Sequence, residues 1–104
     1  MNSGILLIVS LFLHVGREDE FRQFETEAAR IMQKYGGNIE RVIRPLPAGQ
    51  SSSTPHEVHL ISFPSMEKFD AYRRDPDLTN LASLRQSAIA RTDLLIGEEG
   101  EPYL

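Results

Sequence analysis

Three histidines, at positions 14, 56 and 59, are the side chains best suited to move a proton at neutral pH, because an unperturbed imidazole titrates in that range. His56 and His59 stand three apart in the phrase HEVH. A zinc-binding pair on a helix needs a spacing of four, and residues three apart on a strand point to opposite faces. No metal is therefore expected. The chain contains no cysteine, which removes thiol chemistry, a disulfide framework and sulfur-rich zinc sites. It also lacks a phosphate-cradling loop, a dinucleotide glycine fingerprint and a Gly-x-Ser-x-Gly elbow, so no cofactor is expected.

Arg85 follows Leu81 by one turn and borders an apolar stripe. Two readings stand for it. It could pair with Asp77, Glu67 or Asp93 and hold its helix in place, or it could anchor an anionic group of a ligand. Tyr35 and Tyr72 end helical stripes and read as core aromatics with a wet hydroxyl. Arg41 and Arg44 read as a solvated edge, and Glu98, Glu99 and Glu101 as solubility.

The elements that must position these residues are readable from periodicity. Ile5–Leu13 (ILLIVSLFL) is the most apolar run, too short for a membrane span. No Lys or Arg precedes it and no small-x-small site follows, so a central β-strand is expected rather than a secretion signal, and a cytoplasmic protein with it. Phe21, Phe24, Ala28, Ile31, Met32 and Tyr35 recur at helical spacing. Acidic Glu18, Asp19 and Glu20 open that helix, and Gly36-Gly37 stops it. Residues 38–46 read as a charged strand, 47–55 as a flexible polar loop and 56–63 as a second apolar strand. Ser65 caps a helix with Met66, Phe69 and Tyr72 on one side. Asp75-Pro76 restarts it, and Leu78, Leu81, Leu84 and Ala88 continue the stripe. A short strand at 92–96 closes the order. The whole, 1–104, reads as one domain with an N-terminal extension at 1–4 and an acidic tail at 99–104.

The order βαββαβ is the ferredoxin-like, α+β arrangement: a four-stranded antiparallel sheet with two helices on one face and the first and third strands central. Alternation sets Leu7, Val9, Leu11, Leu13 and Val15 on one side of the first strand, and Leu6, Ile8, Ser10, Phe12 and His14 on the other. The aliphatic set is expected beneath the helices. The opposite face is expected to gather Leu6, Ile8 and Phe12 with Ile61 and Phe63, and to bring His14 beside His59. Two helices cover one face only, so a second copy is expected to cover the other, making a homodimer. The 15 acidic and 11 basic residues leave a net charge of −4, without the basic excess that nucleic acid or an anionic membrane would require. Neither is expected as a partner.

Tyr35-Gly36-Gly37, Phe63-Pro64-Ser65, and Asp75-Pro76 followed by Leu78, Leu81 and Arg85 resemble a small bacterial family of unknown function in the dimeric α+β barrel superfamily. That superfamily also holds antibiotic-biosynthesis monooxygenases and muconolactone isomerases. The likeness runs from about Leu7 to Glu98. It implies a homodimer with a cleft beside each sheet and carries no agreed activity. The expected cleft is lined by Phe12, His14, His59, Ile61 and Arg85. In one reading it handles a small organic molecule, as a cofactor-independent oxygenase or isomerase would, with His14 or His59 moving a proton and Arg85 holding charge. In the other, the protein is a non-catalytic dimeric module that binds a ligand or only assembles.

Overall fold

The computed structural model describes residues 4–103; of the N-terminal extension only Gly4 falls among them, and the final residue of the acidic tail, Leu104, lies outside them. Strand β1 (Ile5–Leu13) leads into helix α1 (Glu18–Gln33), β2 (Asn38–Ile43) and β3 (Glu57–Phe63). The second helical arm is cut into α2 (Met66–Arg73), α3 (Pro76–Thr79) and α4 (Ala82–Ala88), and β4 (Ile89–Gly97) follows. The strands lie in the order β2-β3-β1-β4, all pairs antiparallel. This is the expected ferredoxin-like α+β sheet with the two apolar strands in the middle. β4 starts three residues earlier than its sequence suggests, because Ile89 is buried and pairs with Leu13.

The local devices that shape the helical layer are those in the sequence. The Ser65 hydroxyl accepts from the Lys68 N–H at 3.1 Å and caps α2. Asp75 caps α3, accepting from the Asp77 N–H at 2.7 Å, with Pro76 in the first turn. Gly36 ends α1 at φ +75°, a conformation that L side chains resist. The adjacent Gly37 has a different reason to be glycine: a Cβ there would stand 2.6 Å from the Phe63 ring, so helix α1 can turn tightly onto β3.

Phe21, Phe24 and Ala28 of α1 pack with Leu11, Ala88 and Ile89. Met32 packs with Leu7, Ile61, Phe63 and Phe69 in a second cluster. Together they form the layer between the sheet and the helices, and burying them supplies the main driving force for folding.

The expected faces of β3 must be corrected. Cross-strand partners share a side of a sheet. Leu7 pairs with Ile61, Val9 with His59, Leu11 with Glu57 and Ile5 with Phe63. Leu7 and Leu11 lie under the helices, so His59, Ile61 and Phe63 lie there too and not on the far face. Val15 is also displaced from its expected place: β1 ends at Leu13, and Val15 is fully exposed in the turn that follows.

The far face is nonetheless apolar. Leu6, Ile8 and Phe12 of β1 are flanked there by Val58 and Leu60 of β3 and by Leu95 of β4. Leu95 is 66% exposed and Ile43, opposite Val58, is 60% exposed. The Arg91 guanidinium lies over the Phe12 ring, 3.9 Å from its centroid, and covers that corner.

Candidate functional site

Between the sheet and the helices a cavity of about 220 Å³ remains, bordered by β1, β3, β4, α1 and the segmented second arm. Most of its wall is aliphatic or aromatic. The rings of Phe63, Phe69 and Tyr72 cluster on one side, with Phe63 5.2 Å from Phe69 and 5.5 Å from Tyr72. Six polar side chains border the same space: Glu25 from α1, His59 from β3, Tyr72 and Arg73 from α2, Arg85 from α4 and Thr92 from β4.

His59 is only 3% exposed. Its Nε2 lies 2.8 Å from Glu57 Oε1, and its Nδ1 lies 3.6 Å from Glu25 Oε1. Glu57 and His59 are two apart on one strand, which sets both side chains on the helix-facing side. Glu57 in turn accepts from Arg44 Nε at 2.8 Å at the β2 edge.

Burial alone would raise the Glu57 carboxyl, but the hydrogen bonds from His59 and Arg44, with the Arg44 charge, outweigh it and hold it below its ordinary value. An ionised carboxylate can only accept. His59 must therefore donate through Nε2, which leaves Nδ1 as the atom able to take a proton on the Glu25 side. Glu25 behaves in the opposite sense. Burial raises its carboxyl; Glu57 adds to the rise, while His59 and Arg85 oppose it. Tyr72 is pushed up by burial and by Glu25, so its hydroxyl stays a hydrogen-bond donor. These are the ingredients of acid–base chemistry in a mostly apolar pocket: an oriented imidazole, a carboxyl whose hold on a proton burial strengthens, and hydrogen-bond donors.

The expected cleft residues separate into two groups. His59, Ile61 and Arg85 border the cavity. Phe12 and His14 do not. Phe12 points to the far face, and His14 lies beyond the end of β1, exposed, with its backbone N–H donating to the Ala88 carbonyl at 2.9 Å. Both border a separate cleft with His56 and Arg44, at the end of the sheet near the 50–55 loop. His56 precedes β3 and packs edge-on against Phe21. Arg85 forms no ion pair with Asp77, Glu67 or Asp93, the partners considered for it; its Nη2 donates to Thr92 Oγ1 at 3.0 Å.

Glu57 and Glu25 are the site members that motif reading passed over. Glu25 did leave a signal, since it stands four after Phe21 and three before Ala28, a carboxylate inside the apolar stripe of α1. Among the described residues, no group of three His, Cys, Asp or Glu side chains could hold a metal ion, and no helix is long and apolar enough to cross a membrane.

Comparison with solved structures finds this fold repeatedly. A protein of unknown function from Rhodopseudomonas palustris is similar with a TM-score of 0.82 at 15% identity, over 98% of this chain and 86% of that one. A dimeric protein of unknown function with a ferredoxin-like fold, from Bacteroides fragilis, is similar at 0.69 and 12%, over 93% and 97%. SnoaB, a cofactor-independent oxygenase from Streptomyces nogalater, is similar at 0.72 and 10%, over 96% of each. Identities this low establish a shared fold and leave chemistry open. No curated protein sequence matches the chain. The family model described as "domain of unknown function (DUF1330)" matches residues 5–99, and the chain is therefore a member of the DUF1330 family.

Proposed function

We propose that the cavity between sheet and helices takes up a small organic molecule and that His59 removes a proton from it. The observation that carries this reading is the buried pair His59–Glu57 at 2.8 Å, with the second imidazole nitrogen on the side of Glu25, which borders the cavity together with His59. Glu57 would stabilise the imidazolium that forms, as an orienting carboxylate does for a general base. The electrons of the broken bond stay on the ligand as a resonance-stabilised anion. Returning the proton to another atom of the ligand is an isomerisation; reaction of the anion with dioxygen is a cofactor-independent oxygenation. The fold shared with SnoaB, a cofactor-independent oxygenase, supports the second outcome as chemistry this scaffold can host.

The rival reading is a non-catalytic module that binds the ligand without turning it over. A library of small organic acids and ketones, screened by native mass spectrometry, separates the two. Leu94→Trp, at the half-exposed rim of the cavity, should abolish retention by filling the space. His59→Gln should leave a ligand bound but unreacted. A ligand that the wild-type protein retains without exchange of its acidic hydrogen for solvent deuterium favours the binding module.

The assembly belongs to the same proposal. The apolar far face carrying Leu6, Ile8, Leu60 and Leu95 is the surface a second copy would cover, face to face, as a homodimer. The Bacteroides fragilis protein of the same fold is dimeric, which supports it. A cytoplasmic setting goes with this reading; Ile5–Leu13, the run that could have been a secretion signal, is a central strand.

A further inference from the structure

Among the described residues Arg85 is the cation that borders the cavity without a carboxylate at ion-pair distance, although its charge is felt by Glu25. Arg73, the other arginine there, pairs with Asp70 at 2.8 Å and lies over the Phe69 ring. Arg44 is held by Glu57. Arg85 has only the neutral Thr92 hydroxyl and ion-pairs with no carboxylate among the described residues. A guanidinium has five donors in a planar fork, and one bond to a hydroxyl leaves most of them unspent. Beside it stand the apolar walls of the cavity, which can take the hydrocarbon part of a ligand whose anionic end meets the guanidinium.

The remaining polar groups do not compete for an anion. The Tyr72 hydroxyl, which makes no hydrogen bond among the described residues, is a donor. Glu25, the carboxylate on the lining of the cavity, is the group that burial inclines to hold a proton. The volume, about 220 Å³, is below the roughly 300 Å³ at which pockets for drug-sized ligands begin. It suits one ring or a short chain.

Resting on the reading of the cavity as a small-molecule site, we propose that its ligand is a small monocarboxylate: one apolar ring or short hydrocarbon chain among the Phe63, Phe69 and Tyr72 rings, with the carboxylate on Arg85.

The test uses matched probes that differ only in charge, benzoate against benzyl alcohol and hexanoate against hexanol, titrated by ¹H–¹⁵N chemical-shift mapping. The wild-type protein should bind at least one acid about tenfold more tightly than its alcohol, the scale of one charge-assisted hydrogen bond. R85M should bring that preference to within about twofold while leaving the alcohol's affinity unchanged, and R85K should retain part of it. L94W should remove binding of both members of a pair. Arg85 is exposed, and the thermal melts of R85M and R85K should overlay that of the wild type. Equal affinity for acid and alcohol in the wild type overturns the anion assignment and leaves the small-molecule reading standing. An acid preference that survives in R85M overturns the role of Arg85, and one that survives in L94W moves the anion out of the cavity. Failure of all four probes to bind overturns both the inference and the reading beneath it.

Discussion

His59 and Glu57 stand two residues apart on β3, and the imidazole Nε2 meets the carboxylate at 2.8 Å on the buried face of the sheet. The contact determines which ring nitrogen is protonated, because Glu57 is held ionised by His59 and Arg44 together. Glu57→Gln offers an amide that can accept or donate, so it no longer enforces one tautomer. We expect ¹⁵N spectra of His59 to change from a single Nε2–H form to a mixture. Stability should fall by about 1 kcal/mol as the contacts to His59 and Arg44 lose their charge assistance. An unchanged tautomer would assign the orientation of the ring to Glu25 or to packing.

Glu25 should reveal itself in the pH dependence of stability. Its carboxyl is raised on folding, chiefly by burial, in a setting that also contains His59, Glu57 and Arg85. A raised carboxyl holds its proton more tightly in the native state, so its contribution is present below the ordinary value of about 4.5 and is lost as pH rises through the native one. Glu25→Gln should therefore match the wild type in urea at pH 4 and exceed it at pH 8. A gap between the two midpoints that does not widen with pH would mean that the carboxyl is well solvated.

At the opposite end of α1, Asp75 ties the helix to the segmented second arm. It accepts from the Tyr35 hydroxyl at 2.5 Å, from Lys34 at 2.9 Å and from the Asp77 N–H. These contacts, Tyr35 foremost, hold its carboxyl down at about 2. A depressed carboxyl stabilises the fold above its unfolded value and ceases to do so as pH falls toward the native one. Between about pH 4 and pH 2 the wild type should thus lose stability faster than Asp75→Asn, which keeps a capping oxygen without the charge. Asp75→Ala, lacking the cap as well, should melt at least about 5 °C lower at neutral pH. Differential scanning calorimetry across that range reads both effects.

The far face of the sheet predicts the mass in solution. Leu95 is two-thirds exposed in the single chain, so a charge there costs the fold little and a face-to-face dimer a great deal. Leu95→Glu should sediment as a folded monomer at concentrations where the wild type sediments at twice that mass. A wild-type protein that stays monomeric and soluble at high micromolar concentration would remove the proposed dimer.

The sequence by itself determined the element order and which strands are central, because hydrophobic period and the stop signals at Gly36-Gly37, Ser65 and Asp75-Pro76 act locally. It singled out His59 and Arg85 by residue type. It did not determine what surrounds them. In HEVHLISF both alternating sets contain apolar residues, so parity alone cannot say whether His59 faces the helices or the far side. That phase is decided by register: Val9 opposite His59 and Leu11 opposite Glu57 turn both polar residues inward, since a one-residue slip would turn the whole strand over. The same pairing parts His59 from His14 and brings it to Glu25, 34 positions earlier in the sequence. Tertiary packing alone decided that the imidazole would lie between two carboxyls, and that Arg85 would face a cavity in place of an acid. Contacts across elements are set by which faces are pressed together, and a linear string of residues does not contain that distance.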